Sequence, residues 1–246
     1  SMKDQAKHIQ ELYFAGGEPL LIPEHYKILE FMVEEGLARQ VNLRYNSNGL
    51  ELPDKLFKLW DHFKEVRFNF SIDAFGQRND YIRYPSKWED VTKNLKRLDE
   101  NAKDNTVINI ACAIQLLNVG YIDELATWKM DQGFSKINPS MFGGGIIGTH
   151  LVYLPSYLNV QVLPPEAKKW AKEKIENFID RQKFNLEFNQ HPYGAQRWRG
   201  LIKYMMQDDW SNKLPALREY LAVTDKTRGT DYSKTFKELG EYINGH

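Results

Sequence analysis

Cysteine is the residue that this chain has least of, because Cys112 is the only one among 246 residues. A single thiol excludes an internal disulfide and any metal site built from several cysteines of this chain. The six histidines show no zinc-binding spacing either, so we expect no metal held by this chain. With no disulfide to form, a reducing, cytoplasmic location is the expectation.

The chain also lacks net charge and long apolar runs. Its 33 Lys and Arg residues balance 33 Asp and Glu residues, without the basic stripe typical of nucleic-acid binding. No apolar run approaches the roughly 20 residues of a membrane helix, and the polar first ten residues do not resemble a signal peptide. We therefore expect neither nucleic acid nor membrane as a partner.

Short apolar segments alternate with helical patterns through the first 140 residues or so. This alternation predicts βαβ units and a parallel sheet. The strands are expected near residues 12–15, 41–45, 66–73, 107–114 and 137–142. After Gly143-Gly144-Gly145 the pattern changes, with an extended segment expected at 151–163 and helices from Pro164 onward. We predict a core at 3–149 and a mainly helical extension at 150–246.

The predicted strands have one apolar and one polar face, since successive side chains point to opposite sides. In the third strand the polar face carries Arg67, Asn69, Ser71 and Asp73. An antiparallel sheet with one wet face is one reading. We favour a barrel lumen that holds a polar ligand, because the long helical connections do not suit hairpins.

Polar and small residues recur where the predicted strands end. Ligands of parallel α/β folds bind at the carboxyl ends of the strands, so these residues are candidates for one site. They are Gly16, Gly17, Glu18, Ser47, Asn48, Ser71, Asp73, Gln115 and Asn118.

Five segments together resemble the radical S-adenosylmethionine (SAM) family. Gly16-Gly17-Glu18-Pro19 resembles its Gly-Gly-Glu-Pro motif, and Ser47-Asn48-Gly49 its Thr-Asn-Gly. Ser71-Ile72-Asp73 resembles its Ser-hydrophobic-Asp motif, followed by a segment that ends at Arg83. Residues 225–229 resemble the C-terminal part of members with a twitch-type extension.

The resemblance implies a fold and a chemistry. The fold would be a partial (β/α)6 TIM-like barrel, missing its first strand, with a mainly helical C-terminal extension. A [4Fe–4S] cluster, reduced by an electron donor protein, would cleave SAM to a 5′-deoxyadenosyl radical that takes hydrogen from a substrate, which we expect to be a peptide. The residues implied in SAM binding are Gly16, Gly17, Glu18, Pro19, Ser47, Asn48, Ser71, Asp73, Arg83, Gln115 and Asn118.

One departure from the family is the missing Cys-x3-Cys-x2-Cys cluster loop, which Cys112 cannot replace. We expect the full-length parent to carry this loop upstream, and the tag-like Ser1-Met2 supports a shortened chain. This chain alone would then be inactive, and SAM would bind weakly or not at all. The alternative is a natural protein without a cluster, acting as a binding module for a nucleotide-like ligand.

Other readings of these residues stay open at this stage. Gly16-Gly17 and Asn48-Gly49 are also typical of plain turns, and Ser71 with Asp73 is typical of a turn and helix cap. Glu18 and Asp73 could instead be the carboxylate pair of an unrelated barrel hydrolase. Cys112 is expected in the core, on the apolar face of its strand.

Overall fold

A computed structural model describes residues 2–137, 146–185, 188 and 194–245, with side chains from residue 4 onward. The strands are β1 (Glu11–Phe14), β2 (Asn42–Ser47), β3 (Glu65–Ser71), β4 (Thr106–Ile114) and β5 (Gly148–Leu151). The helices of the first half are α1 (Met2–Ala6), α2 (Pro23–Glu34), α3 (Asp54–Trp60), α4 (Gln77–Ile82), α5 (Trp88–Asn101) and α6 (Ile122–Asp131). Those of the second half are α7 (Pro165–Arg181), α8 (Gly194–Gln207), α9 (Leu214–Arg228), α10 (Tyr232–Thr235) and α11 (Lys237–Asn244).

The five described strands form one sheet in the order β1-β2-β3-β4-β5. Every neighbouring pair is parallel, which confirms the predicted α/β fold with a parallel sheet. The antiparallel alternative is therefore wrong. Parallel neighbours need a crossover connection, and α2, α3, α5 and α6 lie in the segments that supply the crossovers.

The hydrophobic core lies on the side of the sheet that the helices cover. Val66, Phe68 and Phe70 of β3, and Ile72 directly after it, are fully buried, whereas Arg67 and Asn69 on the other face are only half-buried. The period of two in the sequence therefore places the polar face away from the helices. Cys112 is fully buried in this core, as expected.

The helices begin and end where the sequence has its strongest signals. Pro23 and Pro165 occupy the first position of α2 and α7, where a missing N–H costs nothing. Gly229 ends α9 in the left-handed conformation with φ of 65°, which glycine adopts without a Cβ clash. The helix starts at these prolines follow the predictions.

The fifth strand and the segment after it differ from the prediction. Ile137 forms a parallel bridge to Ile108, but residues 138–142 lie outside the described part of the chain. The described fifth strand is β5. The predicted extended segment at 151–163 is wrong, because two 3-10 helices follow at 156–158 and 160–162.

The local chemistry explains this second difference. The Asn159 side chain accepts a hydrogen bond from the Gln161 backbone N–H at 2.9 Å, so it caps the second 3-10 helix. Helices then dominate the described residues up to Asn244. The predicted division between residues 149 and 150 falls inside β5, and it stays a prediction. Within the described ranges, no helix has the length and apolar character that a membrane crossing requires.

Candidate functional site

Glu18 joins the loops that follow β1 and β2. Its carboxylate accepts hydrogen bonds from the Ser47 hydroxyl at 2.5 Å, from the Asn48 backbone N–H at 2.8 Å and from the Leu20 N–H at 3.3 Å. The Ser47 hydroxyl oxygen in turn accepts from the Gly49 N–H at 2.9 Å. Three residues of the predicted site thus form one hydrogen-bonded unit at the carboxyl edge of the sheet.

Gly16 and Gly17 give this edge an exposed backbone. Their φ values of 82° and 58° lie in the left-handed region, where a Cβ is strained. A Cβ built on either residue would meet no described atom within 4 Å. The backbone is therefore open to a ligand, and the glycines are required by conformation. Pro19 is buried and begins a short 3-10 helix, so it shapes the loop, and its side chain has no polar group to offer a ligand.

Asp73 is enclosed by the protein. Its side chain is 7% exposed, and Oδ2 lies 2.8 Å from Nε of Arg83. Oδ1 accepts a hydrogen bond from the Ala113 N–H at 2.7 Å. Burial raises the pKa of the Asp73 carboxyl, while Arg83 and the Ala113 N–H oppose that rise. Arg83, a predicted SAM-binding residue, pairs with Asp73 through Nε, and its contact with SAM stays a prediction.

Asn118 also has a role within the protein. Its Nδ2 donates to the backbone carbonyls of Asp73 and Ala113, both at 2.8 Å. Its Oδ1 accepts from the Gln115 N–H at 2.8 Å. Since both ends of its amide are satisfied, Asn118 ties the end of β4 to the loop that follows β3. Direct SAM contact by Asn118 stays a prediction.

Gln115 and Ser71 have polar side-chain groups without a hydrogen-bond partner among the described residues. Gln115 is 8% exposed, and its Oε1 is buried without a hydrogen-bond partner among the described residues. The Ser71 hydroxyl, at the end of β3, makes no hydrogen bond to any residue that the structure describes. A buried carbonyl oxygen left unpaired is costly, so Gln115 points to a ligand or water at this edge.

Asn79 supports the site through the loop after β3, although it is not among the predicted site residues. It is fully buried in α4, and its Oδ1 accepts a hydrogen bond from the Asp73 N–H at 3.0 Å. An asparagine in a short polar helix carries no sequence signal for such a role. Its burial is visible only once the loop after β3 has folded over it.

Gly49 provides a direct test of the Ser47-Asn48-Gly49 loop. Its φ is 62°, and an added Cβ would overlap the ring of Phe70. Gly49→Ala combines backbone strain with a clash in the core, so we expect a loss of about 2–4 kcal/mol in unfolding free energy. Gly36→Ala, also at positive φ but with open space around it, should lose only about 1 kcal/mol. Urea denaturation compares the two, and equal losses would contradict the packing of Gly49 on Phe70.

The predicted chemistry needs an iron–sulfur cluster and SAM, and the residues of this chain fit only the second. No group of three or more His, Cys, Asp or Glu side chains that could hold a metal occurs within the described ranges. The one cysteine is buried in the core, and burial raises the pKa of its thiol well above the usual value. A cluster held by three thiolates does not fit this chain. The open glycine backbone and the unpaired Gln115 oxygen do fit a polar ligand such as SAM.

Comparison with known proteins agrees with the motifs. The family model of the Radical SAM superfamily matches residues 2–125, which is 124 of the 246 residues. The structure of native anSMEcpe with bound AdoMet is similar with a TM-score of 0.53 at 12% sequence identity. The alignment covers 85% of this chain but 58% of that chain, and similarity at this identity shows the fold alone. No curated protein matches the sequence. On the family match, which includes every predicted site residue from Gly16 to Asn118, this chain belongs to the radical SAM superfamily.

Proposed function

We propose that this chain is the SAM-binding part of a radical SAM enzyme whose cluster cysteines lie outside these 246 residues. The observation that carries the proposal is the edge formed by Gly16-Gly17, Ser71 and Gln115, within a segment that matches the superfamily. The open backbone and the unpaired oxygen of Gln115 lie at the carboxyl ends of parallel strands. Ligands of such folds bind there.

Each residue of this edge has a definite task in the proposal. The backbone carbonyls at Gly16 and Gly17 accept hydrogen bonds from the ammonium of SAM, since no Cβ blocks their approach. The Ser71 hydroxyl and the Gln115 Oε1 bind the ribose hydroxyls. Glu18 holds the loops after β1 and β2 together, and the Asp73–Arg83 pair holds the loop after β3.

SAM would supply radical chemistry for hydrogen abstraction once an electron donor has reduced it. The cluster ligands that this requires do not exist in the described residues, so the chain by itself is inactive in this proposal. Its share is to position SAM and to exclude side reactions. We further propose a partial (β/α)6 barrel that a strand outside this chain completes, a twitch-type role for the C-terminal helices, a peptide substrate and a cytoplasmic location.

A binding module without a cluster is the second candidate. The single cysteine and the lack of a metal-binding group in the described ranges favour it. It would use the same edge for a nucleotide-like ligand. The carboxylate-pair hydrolase has less support, because Asp73 is buried against Arg83 and Glu18 is bound by Ser47 and Asn48.

Anaerobic reconstitution of the full-length parent protein with iron and sulfide tests the first proposal. With SAM and a chemical reductant it should release 5′-deoxyadenosine, whereas the 246-residue chain should release none. Ser71→Ala in the parent should lower the release roughly tenfold, the usual scale for one or two lost hydrogen bonds. Ser135→Ala is the matched control, because Ser135 is exposed and bonded to Asp99 after α6.

Two outcomes would count against the proposal. A folded parent protein that takes up no iron and cleaves no SAM would leave the binding module as the function. Release that is unchanged in Ser71→Ala would remove Ser71 from the site. Both are read by chromatography of the nucleoside product.

A further inference from the structure

Helix α4 and the residue directly after it carry two groups that hold Asp73. Asn79 accepts a hydrogen bond from the Asp73 N–H, and Arg83, directly after the helix, pairs with the Asp73 carboxylate. The helix has only six residues, and a helix this short is not stable without tertiary packing. The placement of Asp73 therefore depends on what α4 packs against.

The C-terminal residue of α9 contacts α4 and the segment that follows it. Nη1 of Arg228 donates a hydrogen bond at 3.1 Å to the carbonyl oxygen of Tyr81 in α4. The same guanidinium lies 4.9 Å from the ring centroid of Tyr84, within range of a cation–π contact. One side chain of the C-terminal part thus contacts the chain on both sides of Arg83.

The turn after α9 adds a second contact to the same helix. The Asp225 carboxylate accepts hydrogen bonds from the Thr230 hydroxyl at 2.7 Å and from the Tyr232 N–H at 2.9 Å. This fixes the path from α9 into α10. The ring of Phe236, which follows α10, then packs edge-on against Tyr81 at 5.4 Å between centroids.

We propose that Arg228 is a positioning residue of the SAM site. It acts through α4. This helix holds Asp73 and Arg83 in place, and with them the loop after β3. The inference rests on the proposed function for its ligand, although the mechanical link between α9 and the loop after β3 can be tested without SAM. It gives the segment at 225–229, which resembles the family's C-terminal part, a role in the SAM site.

Hydrogen–deuterium exchange of the 246-residue chain tests the link. In Arg228→Ala the amides of residues 73–83 should exchange roughly tenfold faster, because their local opening becomes easier. Residues 16–22 serve as the internal reference, and their exchange should stay as in the wild type. Arg228→Lys should restore part of the protection, since an ammonium can still donate to the Tyr81 carbonyl. Lys226→Ala, an exposed position on the same helix, is the control variant.

The effect of Arg228 on the SAM site is tested by equilibrium dialysis. It measures the SAM affinity of the iron-loaded parent protein in the same variants. Arg228→Ala should weaken binding several-fold while Lys226→Ala leaves it unchanged. Unchanged exchange at 73–83 in Arg228→Ala would overturn the inference, whatever SAM does. Faster exchange with undiminished affinity would show that Arg228 does not position the site. A wild-type protein that binds no SAM would instead refute the proposed function.

Discussion

Arg83→Met is expected to destabilise the chain by about 3–5 kcal/mol, the usual result of removing one partner of a buried ion pair. The Asp73 carboxylate is 7% exposed, and without Arg83 its charge keeps only the Ala113 N–H as a partner among the residues that the structure describes. Methionine keeps most of the length of the side chain, so the loss should reflect charge more than volume. Urea denaturation followed by tryptophan fluorescence measures it.

The pH dependence separates charge from packing. Burial already raises the pKa of Asp73 in the folded protein, and the loss of Arg83 should raise it further. A carboxyl whose folded pKa is raised loses stabilising free energy as the pH rises through the ordinary carboxyl range. The deficit of Arg83→Met relative to wild type should therefore be larger at pH 7 than at pH 4.

Two further variants complete this test. Asp73→Asn combined with Arg83→Met should recover much of the lost unfolding free energy, because the amide leaves no unpaired buried charge. Arg199→Met, on the exposed face of α8, should change stability by less than about 0.5 kcal/mol. A deficit in Arg83→Met that is small and independent of pH would show that the ion pair does not hold the loop after β3.

Glu18→Ala is expected to have the largest effect on SAM. It removes the acceptor for the Ser47 hydroxyl, the Asn48 N–H and the Leu20 N–H together, so the loops after β1 and β2 lose their connection. Misplacement of the Gly16-Gly17 backbone by about 1 Å is enough to cost roughly a hundredfold in a positioned reaction. Release of 5′-deoxyadenosine by the reconstituted parent protein should fall by that order.

The controls for Glu18 lie close by in the sequence. Glu18→Gln keeps one acceptor oxygen and should retain more activity than the alanine variant. Glu24→Ala removes an exposed carboxylate from the first turn of α2 and should behave as wild type. If Glu18→Ala and Glu24→Ala release the same amount of product, the bridge between the two loops has no role in the site.

The sequence was sufficient for the sheet because its signals are local. Alternation in β3 separates Phe68 and Phe70 from Arg67 and Asn69, and prolines mark the starts of α2 and α7. The prediction of an extended segment at 151–163 was wrong because it, too, relied on a local signal. Its short apolar run resembles a strand, but the Asn159 cap, which favours a 3-10 turn, decides the local structure.

The site was harder to predict, because proximity along the sequence does not show which polar groups satisfy one another. Glu18, Ser47 and Asn48 were selected as separate candidates, and the fold joins them into one unit. Arg83 is a predicted ligand-binding residue, and the fold pairs its Nε with the buried Asp73; its contact with SAM stays a prediction. Asn79 was missed, since only folding brings its side chain to the Asp73 backbone. Ser71 and Gln115 stay the candidates with polar groups left for a ligand.

Residue-resolved NMR of the 246-residue chain during titration with SAM tests the central claim most directly. SAM binding at millimolar concentration, the range expected of a site without its cluster, should shift the backbone amides of Gly16, Gly17 and Ser71 and the side-chain amide of Gln115. The amides of β1 to β4 at their opposite ends should stay in place. Shifts that are confined to other surfaces would contradict the assignment of this edge as the SAM site.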